Sequence, residues 1–390
     1  LGIMSIVLDL INFSFVVLIF LLALIYLRLE PLKALIILFH LIAIFLLNGV
    51  LFHPNYFSDQ FNYFNTTELI RESFPVDAIK YHFLHRAPHY VAGTIFALFP
   101  LPFISSIYSL AMINFLIYLF MIIYIRKKKL NSNYVDFFFL LYPSLMLYSS
   151  LALRDILICL FMFLVLYHIL IDSKYLLAFL YGIPLFLLKY QNALFIILTI
   201  PTYLILRNKT KNKLFLLILF SSISFYFLDY IPFINLIVDK VELFRFNMFA
   251  ENYGYNWDIM VQHNYTELKR GLGLLIQVIL GSFYFLATPF PWEIDNLFQV
   301  VQFMENLLIL ALLIFLNFKN EFILSIKKRI IFLNIFLFVS ASINGLVVFN
   351  YGAIARYRFP FITVYFLFLL VFYYWNSTLI KLQPNYKHYR

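Results

Sequence analysis

Two arginines, Arg356 and Arg358, interrupt an apolar stretch that reads NYGAIARYRFPFITVYF (350–366). Spaced two apart in an extended segment, they point to one face. Two guanidiniums aimed together suit a diphosphate better than a single carboxylate, because each can make a bidentate contact. Pro360 fits the first turn of the helix that follows, so AIARYRF (353–359) reads as a loop. Lys269 and Arg270, in LKRG (268–271), offer a second phosphate contact, with simple interfacial anchoring as the rival reading. Arg154 and Asp155 end the break YSSLALRD (148–155), and Lys189 opens the break KYQN (189–192). An ionisable group at the bilayer centre costs about 2.5–3.5 kcal/mol, so such residues must be paired, hydrated or bound to something charged. Asp155 suits a helix start and leaves Arg154 to face a cavity, although an ion pair between the two is an equally simple outcome. Lys189 has no carboxylate within several residues, and its rival reading is snorkelling to headgroups. Asp59 is followed by Gln60, Asn62 and Tyr63. A carboxylate and amides beside an aromatic ring are how sugars are held, with ring faces against the aromatic and hydroxyls on the polar groups. With 29 Tyr and 49 Phe in the chain, an interfacial aromatic belt competes for Tyr63.

The elements that must position these residues are membrane helices. The 390 residues are 64% hydrophobic and 12% charged, far below the roughly 25% charged residues of soluble chains. Eleven apolar runs, near 4–27, 34–52, 105–125, 134–150, 155–171, 175–188, 193–207, 214–231, 298–318, 329–350 and 360–376, predict an all-α polytopic bundle forming a single transmembrane domain over 1–390. Basic clusters at 28–33, 126–129, 172–174, 207–213, 319–329 and 381–390 fall on one side when the runs alternate, and that side is the cytoplasm by the positive-inside rule. Runs 89–103 and 271–292 are expected to be re-entrant or interfacial, and the segments 53–88 and 232–270 to be outer loops capping the site. The first run is expected to be a retained helix, since no small-residue cleavage site follows it. The halves of 134–171 and 175–207 are short for full crossings, so their breaks belong within the apolar layer, against protein or a water-filled cavity. The net charge of +10 lies in runs beside apolar segments, which argues against nucleic acid as a partner. One cysteine, Cys159, excludes an internal disulfide. With no glycine-rich phosphate loop and no metal-ligand spacing, no cofactor or metal is expected.

The stretches SDQFNYF (58–64), LYPSLMLYSSLALRDILI (141–158), ATPFPWE (287–293) and ARYRFPF (355–361) resemble bacterial O-antigen and polysaccharide polymerases of the Wzy-like type, within the wider GT-C membrane glycosyltransferases. That resemblance implies a GT-C-like bundle in the bacterial inner membrane, with its active site facing the periplasm or exterior. The implied reaction transfers a growing glycan from undecaprenyl diphosphate onto another lipid-linked repeat unit. The implied partners are the undecaprenyl-diphosphate-linked oligosaccharide, membrane lipids and a chain-length regulator protein. By position, Arg356 and Arg358 would bind the diphosphate, Arg154 and Lys189 would be further cationic stabilisers and Asp59 the base. A transferase using a lipid-monophosphate sugar donor, a ligase, and a lipid-linked glycan flippase or transporter are the alternatives. The absence of an internal repeat and the one-sided charges weigh against a transporter.

Overall fold

A computed structural model of the chain describes residues 3–72, 88–207, 232–253, 265–318 and 322–382. Among the described residues it is all-helical, with fifteen α-helices and no named strand. In chain order these are α1 (Ile3–Leu27), α2 (Pro31–Leu47), α3 (Asp59–Glu72), α4 (Pro88–Leu98), α5 (Ile107–Lys127), α6 (Asn133–Leu141), α7 (Pro143–Ser150) and α8 (Asp155–Leu170), then α9 (Tyr175–Leu188), α10 (Tyr190–Arg207), α11 (Pro232–Tyr253), α12 (Leu272–Ala287), α13 (Leu297–Phe318), α14 (Leu324–Val347) and α15 (Tyr351–Leu382).

Five helices, α1, α5, α13, α14 and α15, are long and apolar enough to cross a membrane, and α7 with α8 makes a sixth if that pair, bent by 118°, counts as one span. Eleven crossings were expected, and these are the helices of that length among the described residues. Residues 34–52, 175–188 and 193–207 lie in shorter apolar helices, while 134–150 is cut in two at Tyr142, where Pro143 removes a backbone donor. Residues 214–231 lie outside the described set. Runs 89–103 and 271–292 are short helices of 11 and 16 residues, as their length suggests. The two expected outer loops each contain a helix, α3 and α11. The opening stretch is helix rather than loop: Asn350 Oδ1 accepts from the Gly352 backbone N–H at 2.8 Å, so α15 starts at Tyr351 and runs through Pro360. On a helix, positions two apart differ by about 200° in direction, which removes the shared face expected for Arg356 and Arg358.

The chain divides into two compact units, residues 1–194 with 366–390, and residues 195–365, passing between them within α10 and α15. In the first, α5 and α8 are buried along most of their length. Irregular backbone between α7 and α8 is held by side-chain amides. Asn114 donates to the carbonyls of Leu151 (2.6 Å) and Leu153 (2.7 Å), Gln60 Oε1 accepts from the Ala152 N–H (2.8 Å), and Asn48 donates to Ser150 O (3.4 Å). Backbone polar groups away from water need such partners. At the other end of α5, Lys33 and Arg126 meet the same Asp136 oxygen at 2.8 and 2.9 Å, and Lys128 lies over the Tyr167 ring, whose hydroxyl donates to Asp172. Three of the basic clusters, 28–33, 126–129 and 172–174, thus gather at one end of this unit, as the positive-inside pattern requires.

In the second unit α12 and α14 cross with backbone against backbone. A Cβ on Gly345 would overlap the Gly281 carbonyl, so both glycines are needed for this approach. Below it, Asn317, Asn334 and Tyr365 close a ring of hydrogen bonds (2.6–3.0 Å) joining α13, α14 and α15.

Candidate functional site

The candidate residues fall into two groups, one in each unit. In the first unit, the two breaks that carry Arg154 and Lys189 meet, because Arg154 Nη1 donates to the Leu188 carbonyl at 2.9 Å. Asp155 occupies the first turn of α8, where the helix dipole favours a carboxylate. Lys189 is buried, at 7% exposure, as is Asn192 three residues on. Among the described residues, neither amide atom of Asn192 nor Arg154 Nε has a hydrogen-bond partner. The third catalytic candidate is drawn toward the same breaks: Asp59 begins α3, and its neighbour Gln60 is bonded to Ala152, two residues before Arg154.

The proposed sugar ligands divide. Asn62 is exposed and Asp59 half-buried. Gln60 is fully buried with Oε1 on Ala152 and Nε2 on Asn48 Oδ1 (3.0 Å), which makes it a clamp on the break rather than a sugar contact. Tyr63 is buried at 4% exposure, so its ring packs in the interior instead of offering a face to a sugar.

In the second unit the strongest feature is a cleft of about 640 Å³ lined by Arg245, Phe249, Gln277, Tyr284, Phe349 and Tyr351, among others. Arg245, on α11, is its buried cation. It donates to Leu346 O (2.6 Å) and Thr266 O (2.7 Å) and lies over the Phe349 ring at 4.8 Å and the Tyr265 ring at 5.5 Å. Burial lowers the Arg245 pKa from the usual guanidinium value, and Glu242 counters part of that effect. Glu242 is itself held, accepting from the Tyr265 hydroxyl and from the Leu268 N–H (2.9 Å). Burial, followed by this bond to Glu242, raises the Tyr265 pKa.

Lys269 and Arg270 stand exposed near this cleft. The Lys269 N–H donates to Gln277 Oε1 at 2.7 Å, and Gln277 lines the cleft. Arg270 lies 3.4 Å from Asp239 in a solvent-exposed pair, a contact worth little in water. Arg358 is only 2% exposed, and its Nη1 donates to the carbonyls of Phe285, Leu286 and Thr288, each at 3.1 Å. Those bonds fix the carboxyl end of α12, beside the cleft residues Tyr284 and Phe290, so Arg358 acts on the cleft through its wall. Arg356 is half-buried on a different side of α15.

Arg245 was visible in the sequence only as one charge among several. Its signal is the pattern RFNMF (245–249), a cation with aromatics at one and four residues' distance, the latter sharing its helix face. Among the described residues no three His, Cys, Asp or Glu side chains gather as metal ligands. No family model, no curated protein and no solved structure matches this chain. The fold and composition define a helical protein with several helices suited to a membrane.

Proposed function

We propose that the chain is a membrane glycosyltransferase that polymerises undecaprenyl-diphosphate-linked repeat units at the outer face of a bacterial inner membrane. The observation that carries this reading is the Arg245 cleft. It combines a desolvated cation, aromatic walls and two exposed cations nearby in a chain with membrane-grade helices. That combination suits a ligand with an anionic head, sugar rings and an apolar tail. Departure of a lipid diphosphate builds negative charge on oxygen, and preorganised cations in a poorly hydrated site stabilise such charge well. In this reading Lys269, Arg270 and Arg245 bind the diphosphate, and Arg358 supports that region from α15. The GT-C-like architecture, the outward orientation and a chain-length regulator as partner belong to the same proposal.

The double variant Lys269→Ala/Arg270→Ala tests it with little risk to folding, since both side chains are exposed. In a deletion strain the wild-type chain is expected to restore a long polysaccharide ladder. The double variant, at equal membrane level, should cut ladder intensity at least about tenfold, the equivalent of one lost charged contact. A normal ladder from the variant refutes the diphosphate role. A product carrying one added sugar would favour the lipid-monophosphate transferase, and transport of the lipid-linked unit without chain growth would favour the flippase.

A further inference from the structure

Three helix-to-helix connections meet at one end of the first unit: 28–30 between α1 and α2, 128–132 between α5 and α6, and 171–174 between α8 and α9. Side chains join them. Lys33 and Arg126 share the Asp136 carboxylate, and Lys128 lies over the Tyr167 ring, whose hydroxyl donates to Asp172 at 2.9 Å. Segments 28–33, 126–136 and 172–174 carry seven basic and three acidic side chains, so this end holds an excess of four positive charges. Helix dipoles do not absorb it. Each connection joins the carboxyl end of one helix to the amino end of the next, and the opposite partial charges offset within each.

The acids are spent on inner contacts. Asp136 takes Lys33 and Arg126, Glu30 lies 3.3 Å from Lys33, and Asp172 accepts from Tyr167 and lies 3.5 Å from His168. The excess falls on Arg28, Lys127, Lys129 and Lys174, which are exposed and form no ion pair among the described residues. Exposed apolar side chains border them: Tyr26 two residues before Arg28, and Leu176 two residues after Lys174, with Phe179 less than a turn further along α9. Cations edged by such surface fit a molecule that carries a negative head on hydrocarbon, whereas a soluble anion needs no apolar flank. We propose that this end of the unit is a binding surface for anionic phospholipids, with Arg28, Lys127, Lys129 and Lys174 on the headgroup phosphates and the bordering apolar side chains against the acyl chains. It uses no residue of the Arg245 cleft and stands without the glycosyltransferase reading.

The test is a titration of the full chain, purified in neutral detergent, with short-chain phosphatidylglycerol, read as the rise in thermal midpoint that a ligand of the folded state produces. Phosphatidylcholine of the same chain length and inorganic phosphate are titrated alongside. Phosphatidylglycerol is expected to raise the midpoint well beyond either, and high salt to weaken its effect. A cation near an anionic lipid surface is worth about fivefold in affinity. The triple variant Lys127→Gln/Lys129→Gln/Lys174→Gln should therefore need about a hundredfold more phosphatidylglycerol for the same rise. All three side chains are exposed, so its midpoint without lipid should stay near that of wild type. Lys127→Arg/Lys129→Arg/Lys174→Arg keeps the charges and should respond as wild type does. An equal rise from phosphatidylcholine would show only a hydrocarbon contact, and an equal rise from inorganic phosphate a site for a free anion. Either overturns the inference, as does a glutamine variant whose lipid requirement stays within about threefold of wild type, or an arginine variant that loses the response as the glutamine variant does.

Discussion

Replacing Arg245 by alanine removes two short hydrogen bonds, to Leu346 O and Thr266 O, and the cation between the Phe349 and Tyr265 rings. A hydrogen bond from a charged donor contributes about 1.5–3 kcal/mol and a cation–ring contact about 0.5–2 kcal/mol, while relieving the desolvated charge returns part of that. The net loss should be about 3–5 kcal/mol, in the upper range for single substitutions. Arg245→Lys keeps the charge, but a point-like ammonium cannot reproduce a fork spanning two carbonyls, so its loss should be about half as large. Unfolding of the purified protein in nanodiscs, followed by tryptophan fluorescence, measures both. If Arg245→Ala lies within about 0.5 kcal/mol of wild type, the guanidinium is a solvated surface group and the account of the cleft fails.

Asn114→Leu strips two carbonyls of their partner at the α7–α8 break, and the loss should be about 1–4 kcal/mol in the same unfolding assay. Gly345→Ala forces α12 and α14 apart at an expected cost of about 1–3 kcal/mol. Gly182→Ala, whose added Cβ meets nothing within 4 Å, should be neutral or stabilising, so equal effects from the two glycines would refute the close-approach argument. Tyr265 has its pKa raised from 10.0 by burial and by Glu242, so above pH 10 the folded protein keeps a proton that the unfolded chain loses. Its contribution is complete below pH 10 and disappears as pH rises beyond it. Thermal midpoints taken on either side of pH 10 should therefore fall more steeply for wild type than for Tyr265→Phe.

Features governed by local pattern were legible in the sequence. Short apolar runs around YSSLALRD and KYQN announced breaks between helices, and Arg154 does meet the Leu188 carbonyl across them. Features governed by where a helix turns its faces were not. Arg356 and Arg358 share a face only if the segment is extended, and the Asn350 cap, a recognisable helix-start residue, makes it helical. Gln60 looks like a sugar ligand beside Asp59, but its amide is consumed by Ala152 and Asn48, which lie far away in sequence. How the apolar runs divide into separate rods was hidden for a related reason. Hydropathy measures how much apolar material a run contains, while Pro143 and the ends of α9 and α10 decide whether it forms one rod long enough to cross.

The polar residues inside apolar helices carry the most information, and what matters is whether each finds a partner. Helix α1 hides two of them, Asp9 and Asn12, on the inner face of an otherwise lipid-type helix. Both are fully consumed: Asp9 accepts from Ser105 and Ser106, each at 2.7 Å, and Asn12 exchanges hydrogen bonds with the backbone of Phe103 at 2.9 and 3.1 Å. That arrangement is a staple between α1 and the segment before α5, and nothing remains for a ligand to use. Helix α13 carries a similar stripe, yet among the described residues Gln302 ends with both amide atoms unmatched. Since an unmatched buried amide weakens the fold, Gln302→Leu should keep or raise stability in the unfolding assay, whereas Asn12→Leu, which strips the Phe103 backbone of its partner, should lower it.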